Sequence, residues 1–436
     1  MNRSVRVAVL QLRAHGRDDF ERSFDAIVAA AAEASKTADL VVLPEGTVPA
    51  YVLGDAPVDD TATDFALDRL AAVAKRTGTV IVAGAVRSGK SLRRNAAMVI
   101  DRDGSLAGRA DKLFLWHFDR RWFEPGERIA PVDTTLGKLG VLVCADGRIP
   151  TIARALVDRG AEMLVMPTAW VTSGRNPKAL ENVQADLLAR VRAYENGVPF
   201  IAANKCGAEL GMVAYCGKSQ AIDANGEIVA IAGELEPATL AATVAIGTGR
   251  PRRTKLPRPA PRGPLGHAAP VRIAISVDPL PHDVDRRLDL LDDAYVIAAP
   301  FDGAARAALD AAVPTAGVCD DEMLDPAGLA AYRRAGYAIA VWTTQTDSPW
   351  IERIARARAL ELRMYVVVLD CSRAMRAFAV DPDGVAIAGT FGDYRLASFS
   401  FDPRKTMETA VAPGTDIVDG LERIAAIVER GDETQT

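Results

Sequence analysis

Short apolar runs alternate with helix-patterned segments through the first half of the chain, and this alternation constrains the fold more than any other feature. VRVAVLQL (5–12), LVVLP (40–44), TVIVAGA (79–85), NAAMVID (95–101), GVLVC (140–144), EMLVM (162–166), FIAAN (200–204), SQAID (219–223) and EIVAIA (227–232) read as strands. Phe20–Lys36, Phe65–Arg76, Thr151–Arg159 and Leu180–Glu195 carry helical spacing between them. DRDG (101–104) and ANG (224–226) are turn signals of the hairpin kind. The mixture predicts a large α/β layer structure.

Near residue 247 the pattern stops. RPRRTKLPRPAPRGP (250–264) has no acidic residue and no apolar period, and reads as an extended, solvated linker. An anion- or partner-binding strap is the other reading of its charge. Beyond it the order of signals begins again: VRIAI (271–275) echoes VRVAV (5–9), and ARARALE (355–361) echoes ARVRAYE (189–195). DPDGVAIAG (381–389) likewise echoes DANGEIVAIAG (223–233). The shared order points to an internal duplication with an abbreviated second copy. The expected organisation is a first domain over 1–247, a linker over 248–269 and a second domain over 270–436. A closing helix has Ile417, Leu421, Ile424 and Val428 on one face and Asp416 as its N-cap.

At 436 residues there is length for two or three domains. A net charge of −5 gives no global reason to expect a nucleic-acid or membrane partner. Five cysteines without a C-x-x-C pair and four scattered histidines argue against a disulfide framework or a metal site. The N-terminus enters a strand pattern at once, with no signal-peptide features. No apolar run approaches the roughly 20 residues of a membrane span. The expectation is a cytoplasmic enzyme.

GAVRSGKS (84–91) fits the phosphate-loop pattern G-x-x-x-x-G-K-[ST] letter for letter. A phosphate cradle needs a helix directly after the glycines, but here SLRRNAAMVID leads into a strand. The match reads as the bend of a hairpin, with no nucleotide bound.

Three stretches carry chemistry. LVVLPEGTVP (40–49) delivers Glu45 beyond the carboxyl end of a strand, where α/β proteins put reactive groups. KLGVLVCADGRIP (138–150) ends a buried strand on Cys144, before a turn into a helix, a setting that activates a thiol. RADKLFLWHFDRRWFEPGE (109–127) offers Lys112, whose cation suits an oxyanion. Taken singly, each also fits an unremarkable role: a surface glutamate, a packed cysteine, an amphipathic loop.

Together VLPEG, ADK, VCADGRIP and VRAYENGVPFIAANKCG resemble the nitrilase superfamily of carbon–nitrogen hydrolases over about residues 4–246. The resemblance implies a four-layer α-β-β-α sandwich and a catalytic triad of Glu45, Lys112 and Cys144. It implies that Glu45 moves the proton, Cys144 forms the covalent intermediate, and Lys112 with the Ala145 N–H stabilises the oxyanion, without metal or organic cofactor. HFDRRWFEPG (117–126) looks like the matching segment of N-carbamoyl-amino-acid hydrolases, which puts Asp119 at a fourth carboxylate position that is usually glutamate. Glu124 and Glu127 are the less favoured substitutes. Cys144-Ala145-Asp146 lacks the Cys-Trp-Glu of true nitrilases, so an amide or N-carbamoyl substrate is expected. Where the carbamoyl branch has paired arginines to clamp a carboxylate, this chain has Gly147 and Arg148. Trp116, His117 and Trp170 are candidate pocket residues.

In the second copy Phe301 stands in place of Glu45, Cys319 keeps the position of the nucleophile, and the lysine segment is largely missing. A thiol without base or oxyanion partner is a poor catalyst. The expectation is a silent, truncated unit that takes a dimer partner's place within the chain.

Overall fold

The computed structural model describes residues 3–54, 58–172, 179–249, 251, 259–262, 269–278, 294–301, 303–392 and 394–433. Most of the Pro/Arg-rich linker lies outside these residues. The chain divides into two compact units, Met1–Pro251 with Arg423–Thr436, and Arg252–Glu422.

The first unit is built on two sheets. β1 (Arg3–Arg13), β2 (Leu40–Val42), β3 (Val80–Ser88), β4 (Arg93–Ile100) and β5 (Leu106–Asp111) make most of the first. β6 (Val132–Thr134), β7 (Gly137–Val141), β8 (Met163–Pro167) and β9 (Phe200–Ala203) belong to the second. The chain crosses back for β10 (Lys205–Glu209) and β11 (Val213–Cys216), returns for β12 (Gln220–Ile222) and β13 (Ile228–Ile231), and closes with β14 (Ala238–Ile246). The first sheet has the order β11-β10-β1-β2-β3-β4-β5, with β14 also on β1; the second runs β13-β12-β9-β8-β7-β6. β1, β2 and β3 are parallel, as are β7, β8 and β9. Parallel strands send their carboxyl ends to one edge, so the residues after β2, β7 and β8 emerge where a site can form.

Two helices cover the first sheet. α1 (Phe20–Ala34) buries Phe20, Phe24, Ile27 and Ala31, a spacing of three and four residues that forms one stripe. α2 (Asp60–Thr77) starts where the Asp59 side chain accepts from Thr61 N at 2.9 Å and stops at Gly78, whose φ of 68° suits a residue without Cβ. Both pack into one apolar cluster with Leu10, Val41, Leu43, Ile81 and Met98. Each large side chain buried there contributes about 1.5–3 kcal/mol. α3 (Pro150–Asp158) and α4 (Ala189–Asn196) lie on the second sheet. The helix expected over Leu180–Glu195 is divided, with a π-helical turn over Gln184–Leu188 ahead of α4.

In the second unit β15 (Val271–Ser276) is parallel to β16 (Tyr295–Ala298). β17 (Thr315–Val318), β18 (Ile339–Thr344), β19 (Tyr365–Asp370), β20 (Arg376–Val380) and β21 (Ala386–Gly389) form a sheet in sequence order. β22 (Ala397–Phe401) returns antiparallel to β15, as β14 does to β1. The order and polarity of β17 to β21 match those of β7, β8, β9, β12 and β13. A register shift recurs at Ala221/Ile222 and at Ala379/Val380. A buried arginine also recurs: Arg192 Nε donates to Gly147 O at 3.2 Å just past Cys144, and Arg358 Nε donates to Met323 O at 2.9 Å just past Cys319. Each pairs with a glutamate three residues on, Glu195 and Glu361.

Among the described residues no helix is long and apolar enough to cross a membrane, and no group of His, Cys, Asp and Glu could hold a metal ion.

Candidate active site

β2 runs out at Val42 and delivers Glu45 onto a tightly packed bend. Glu45 N donates to Thr168 O at 3.2 Å, tying the end of β2 to the end of β8. The lysine arrives from the far edge of the same sheet. Lys112 N donates to Asn95 O at 2.7 Å as β5 ends, and Gly126 N donates to Lys112 O at 2.8 Å.

These supports aim Lys112 Nζ at two carboxylates, 2.7 Å from Glu45 Oε1 and 2.7 Å from Asp119 Oδ2. All three side chains are completely buried. Asn95 Nδ2 also donates to Glu45 Oε1, at 2.7 Å, while Glu45 Oε2 has no partner among the described residues. Asp119 accepts from the Tyr51 hydroxyl at 2.9 Å and from Trp116 N at 2.8 Å. Burial opposes the ammonium, but Asp119 and then Glu45 outweigh it and hold Lys112 well above the ordinary lysine value.

Cys144 opens a short turn, Cys144–Arg148, with its backbone in the left-handed region at φ 48°. Such a conformation costs a β-carbon residue about 1–3 kcal/mol and is common at reactive positions. Burial and the Glu45 charge push the thiol far up, while Lys112, Thr168 and the Ala169 backbone draw it partly down. Burial thus favours the neutral thiol, and the Glu45 carboxylate, with Oε2 unpartnered among the described residues, acts on it through its charge. Asp146, two residues on, accepts from Leu113 N at 2.9 Å, Phe114 N at 2.7 Å and Val143 N at 3.0 Å. It ties the Lys112 loop to the Cys144 turn, and burial raises its carboxyl to about 6.

The other candidates divide. Ala145 is buried in the nucleophile turn. The Arg148 guanidinium stacks over the Trp116 ring at 4.4 Å, its buried Nε has no partner among the described residues, and burial lowers it to about 10. Trp170 is fully buried, with its indole N–H without a partner among the described residues. His117 is exposed and meets Phe118 edge-on, so it does not join the buried group. At Gly147 a Cβ would lie 2.6 Å from Gln184 Oε1, so the place of the first arginine is already filled.

The phosphate-loop match lies on the β3–β4 hairpin, and an internal anion occupies its donors. Glu124 accepts from the backbone N–H of Lys90, from Ser91 N at 3.2 Å and from Ser91 Oγ at 2.8 Å. Lys90 Nζ pairs with Glu127 at 2.8 Å. Glu124 and Glu127 thus serve the hairpin and leave the Lys112 position to Asp119.

Tyr51, Asn95, Thr168 and Asp146 are the site residues that sequence reading did not find. Most of their contacts reach far along the chain, from Asp146 to Leu113, Asn95 to Glu45, Tyr51 to Asp119 and Thr168 to Glu45, and no short motif marks them.

A buried ammonium paired with a buried carboxylate, and a buried thiol on which both charges act, lie past the ends of β5, β2 and β7 on a mixed α/β fold. The chain belongs to the carbon–nitrogen hydrolase family, whose model matches residues 6–254. Within it the N-terminal half is nitrilase-like and its members act on C–N bonds. A hydrolase encoded in the pqqF 5′ region of Pseudomonas protegens is 35% identical over 45% of this chain and 68% of its own length. N-carbamoylputrescine amidase of Solanum lycopersicum is 31% identical over 40% of this chain and 62% of its own length. Against a probable nitrilase of Schizosaccharomyces pombe, 31% identical over 36% of this chain, the chain spans 56% of the relative's length. The crystal structure of an amidase from Nesterenkonia sp. aligns with TM-score 0.50 and 30% identity, covering 55% of this chain and 90% of the amidase. A variant of that amidase carries acrylamide added at its active-site cysteine.

Proposed function

We propose that the protein is a thiol-dependent hydrolase of a small non-peptide amide or N-carbamoyl compound, working through a Cys144 thioester. The observation that carries this reading is Lys112 Nζ, buried and held 2.7 Å from both Glu45 and Asp119, with the charges of Lys112 and Glu45 acting on the buried Cys144 thiol. Glu45 takes the Sγ proton as sulfur attacks the substrate carbon, and Lys112 with the Ala145 N–H holds the oxyanion. Collapse breaks the C–N bond, and Glu45 passes its proton to the leaving nitrogen. Water then gives a proton to Glu45 and its oxygen to the thioester carbon, releasing the acid, and the proton returns to sulfur. The steps call for no metal or organic cofactor. Arg148, stacked on Trp116 without an acidic partner among the described residues, suits a carboxylate on the substrate, with Trp170 as a wall.

Intact-mass analysis of Cys144 after incubation with an amide panel tests the reading. A trapped acyl adduct supports it, and no adduct across the panel favours a non-catalytic scaffold. Competing amines separate hydrolysis from acyl transfer at the same thioester, because transfer yields a new amide.

For the architecture, we propose a four-layer α-β-β-α sandwich in the first unit and a truncated, silent copy of it in the second. The matching strand order and the repeated Arg–Glu pairs support this. So does the chemistry: Phe301 packs against an apolar cluster and Cys319 is exposed. The second copy standing in for a dimer partner is part of the same proposal, and a stable, fully active chain lacking 265–436 would overturn it.

A further inference from the structure

A second buried ammonium–carboxylate pair stands behind the first. Lys205 Nζ lies 3.0 Å from Glu209 Oε2, both side chains being about 1% exposed or less. Glu209 Oε2 also accepts from the Tyr215 hydroxyl at 2.7 Å, and its Oε1 accepts from Val52 N at 2.7 Å. Val52 follows Tyr51, whose hydroxyl donates to Asp119 at 2.9 Å. The Tyr51 ring has a buried ammonium near it from each pair, Lys112 Nζ at 5.5 Å and Lys205 Nζ at 5.9 Å from its centroid.

Stability gives no reason for this arrangement. An ion pair taken out of water rarely outperforms packed apolar side chains of the same volume. What the second pair supplies is geometry. Both oxygens of Glu209 are used, one on the backbone N–H next to Tyr51 and one on Tyr215 and Lys205, so the chain beside the tyrosine is anchored. Burial and the charges of Asp119 and Glu45 keep the Tyr51 phenol protonated, so it remains a donor.

Resting on the hydrolase reading above, we infer that Lys205 and Glu209 are positioning residues that fix Tyr51 so that its hydroxyl aims Asp119 at Lys112. The coupling runs Glu209, Val52 and Tyr51, Asp119, Lys112, Glu45, and ends on the group that takes the thiol proton.

The test uses iodoacetamide on the full chain, with Cys144 alkylation followed by mass spectrometry at neutral pH and the folded fraction read by near-ultraviolet circular dichroism. Glu45→Gln reports on the underlying reading through amide turnover: if it hydrolyses amides as fast as the wild type, that reading fails. With Glu45→Gln slow in turnover, Tyr51→Phe is expected to slow alkylation about tenfold, the scale of one hydrogen bond to a charged group. Glu209→Gln should slow it too, and Lys205→Arg should recover most of the rate lost in Lys205→Met. A purely structural pair would lower the unfolding temperature and leave the rate per folded molecule unchanged. Wild-type alkylation rates in folded Tyr51→Phe and Glu209→Gln, beside a slow Glu45→Gln, would overturn the inference and spare the reading beneath it.

Discussion

Gly84 lies so close to Glu45 that a Cβ built on it would come within 2.5 Å of the Glu45 Cα and 2.5 Å of Pro44 O. The backbones are also bonded: Gly84 N donates to Pro44 O, and Gly84 O accepts from Thr47 N and Val48 N, all at 3.1 Å. The first glycine of the phosphate-loop pattern therefore seats Glu45, the base of the proposed mechanism. Gly84→Ala is expected to push Glu45 away from Lys112 and Cys144. Overpacking of this kind costs about 1–3 kcal/mol, and a displacement near 1 Å at a reacting group costs on the order of 100-fold in rate. Amide turnover and urea unfolding, measured on the same preparation, check both numbers.

Asp119 tests how the lysine is held. In Asp119→Asn the ammonium keeps only Glu45, and the two draw together more tightly at the expense of Glu45's availability as a base. Breaking a buried charge pair costs about 3–5 kcal/mol of stability. The rate of Cys144 acylation should fall on the order of 100-fold, the scale of a lost oxyanion partner. An Asp119→Asn protein acylating at the wild-type rate would remove Asp119 from the mechanism.

The sequence made the parallel core legible because its strands are nearly unbroken apolar runs, such as LVVLP and TVIVA. It hid β10 because Lys205 and Glu209 look like surface charges, and only the fold pairs them with each other. β14 is mostly alanine and threonine, so its long pairing with β1 left little trace in composition. The proposed triad could be named from sequence because Glu45, Lys112 and Cys144 each sit in a short motif. Tyr51, Asn95 and Asp146 act through hydrogen bonds whose partners Asp119, Glu45, Leu113 and Phe114 lie far along the chain, and nothing local announces them.

Arg148 gives a prediction about substrate. Its guanidinium has aromatic support from Trp116 and no acidic partner among the described residues, so a ligand carboxylate would relieve its burial. Arg148→Leu should raise KM for carboxylate-bearing amides about tenfold or more and change KM for uncharged amides little. Gly147→Arg should not improve binding, since even a Cβ there meets Gln184 Oε1 at 2.6 Å. Parallel KM measurements on a charged and an uncharged amide of equal length check this.

Glu124 predicts how stability changes with acid. The backbone N–H of Lys90 is the largest cause holding its carboxyl down at about 2, from an ordinary 4.5, followed by the Ser91 hydroxyl, with Arg94 Nε also 3.1 Å away. A depressed carboxylate binds its proton more weakly folded than unfolded, so its contribution is complete above the unfolded value and fades as pH falls through the folded one. The stability difference between wild type and Glu124→Gln should therefore be constant above about pH 5.5 and shrink between about 4.5 and 2. Taking the difference at each pH removes the other titrating groups. A phosphate-binding loop would behave differently: its donors would be free, Glu124→Gln would leave acid stability unchanged, and ATP would add stability to the wild type. Urea unfolding across this range, with and without ATP and magnesium, distinguishes the two, and the occupied donors predict that ATP has no effect.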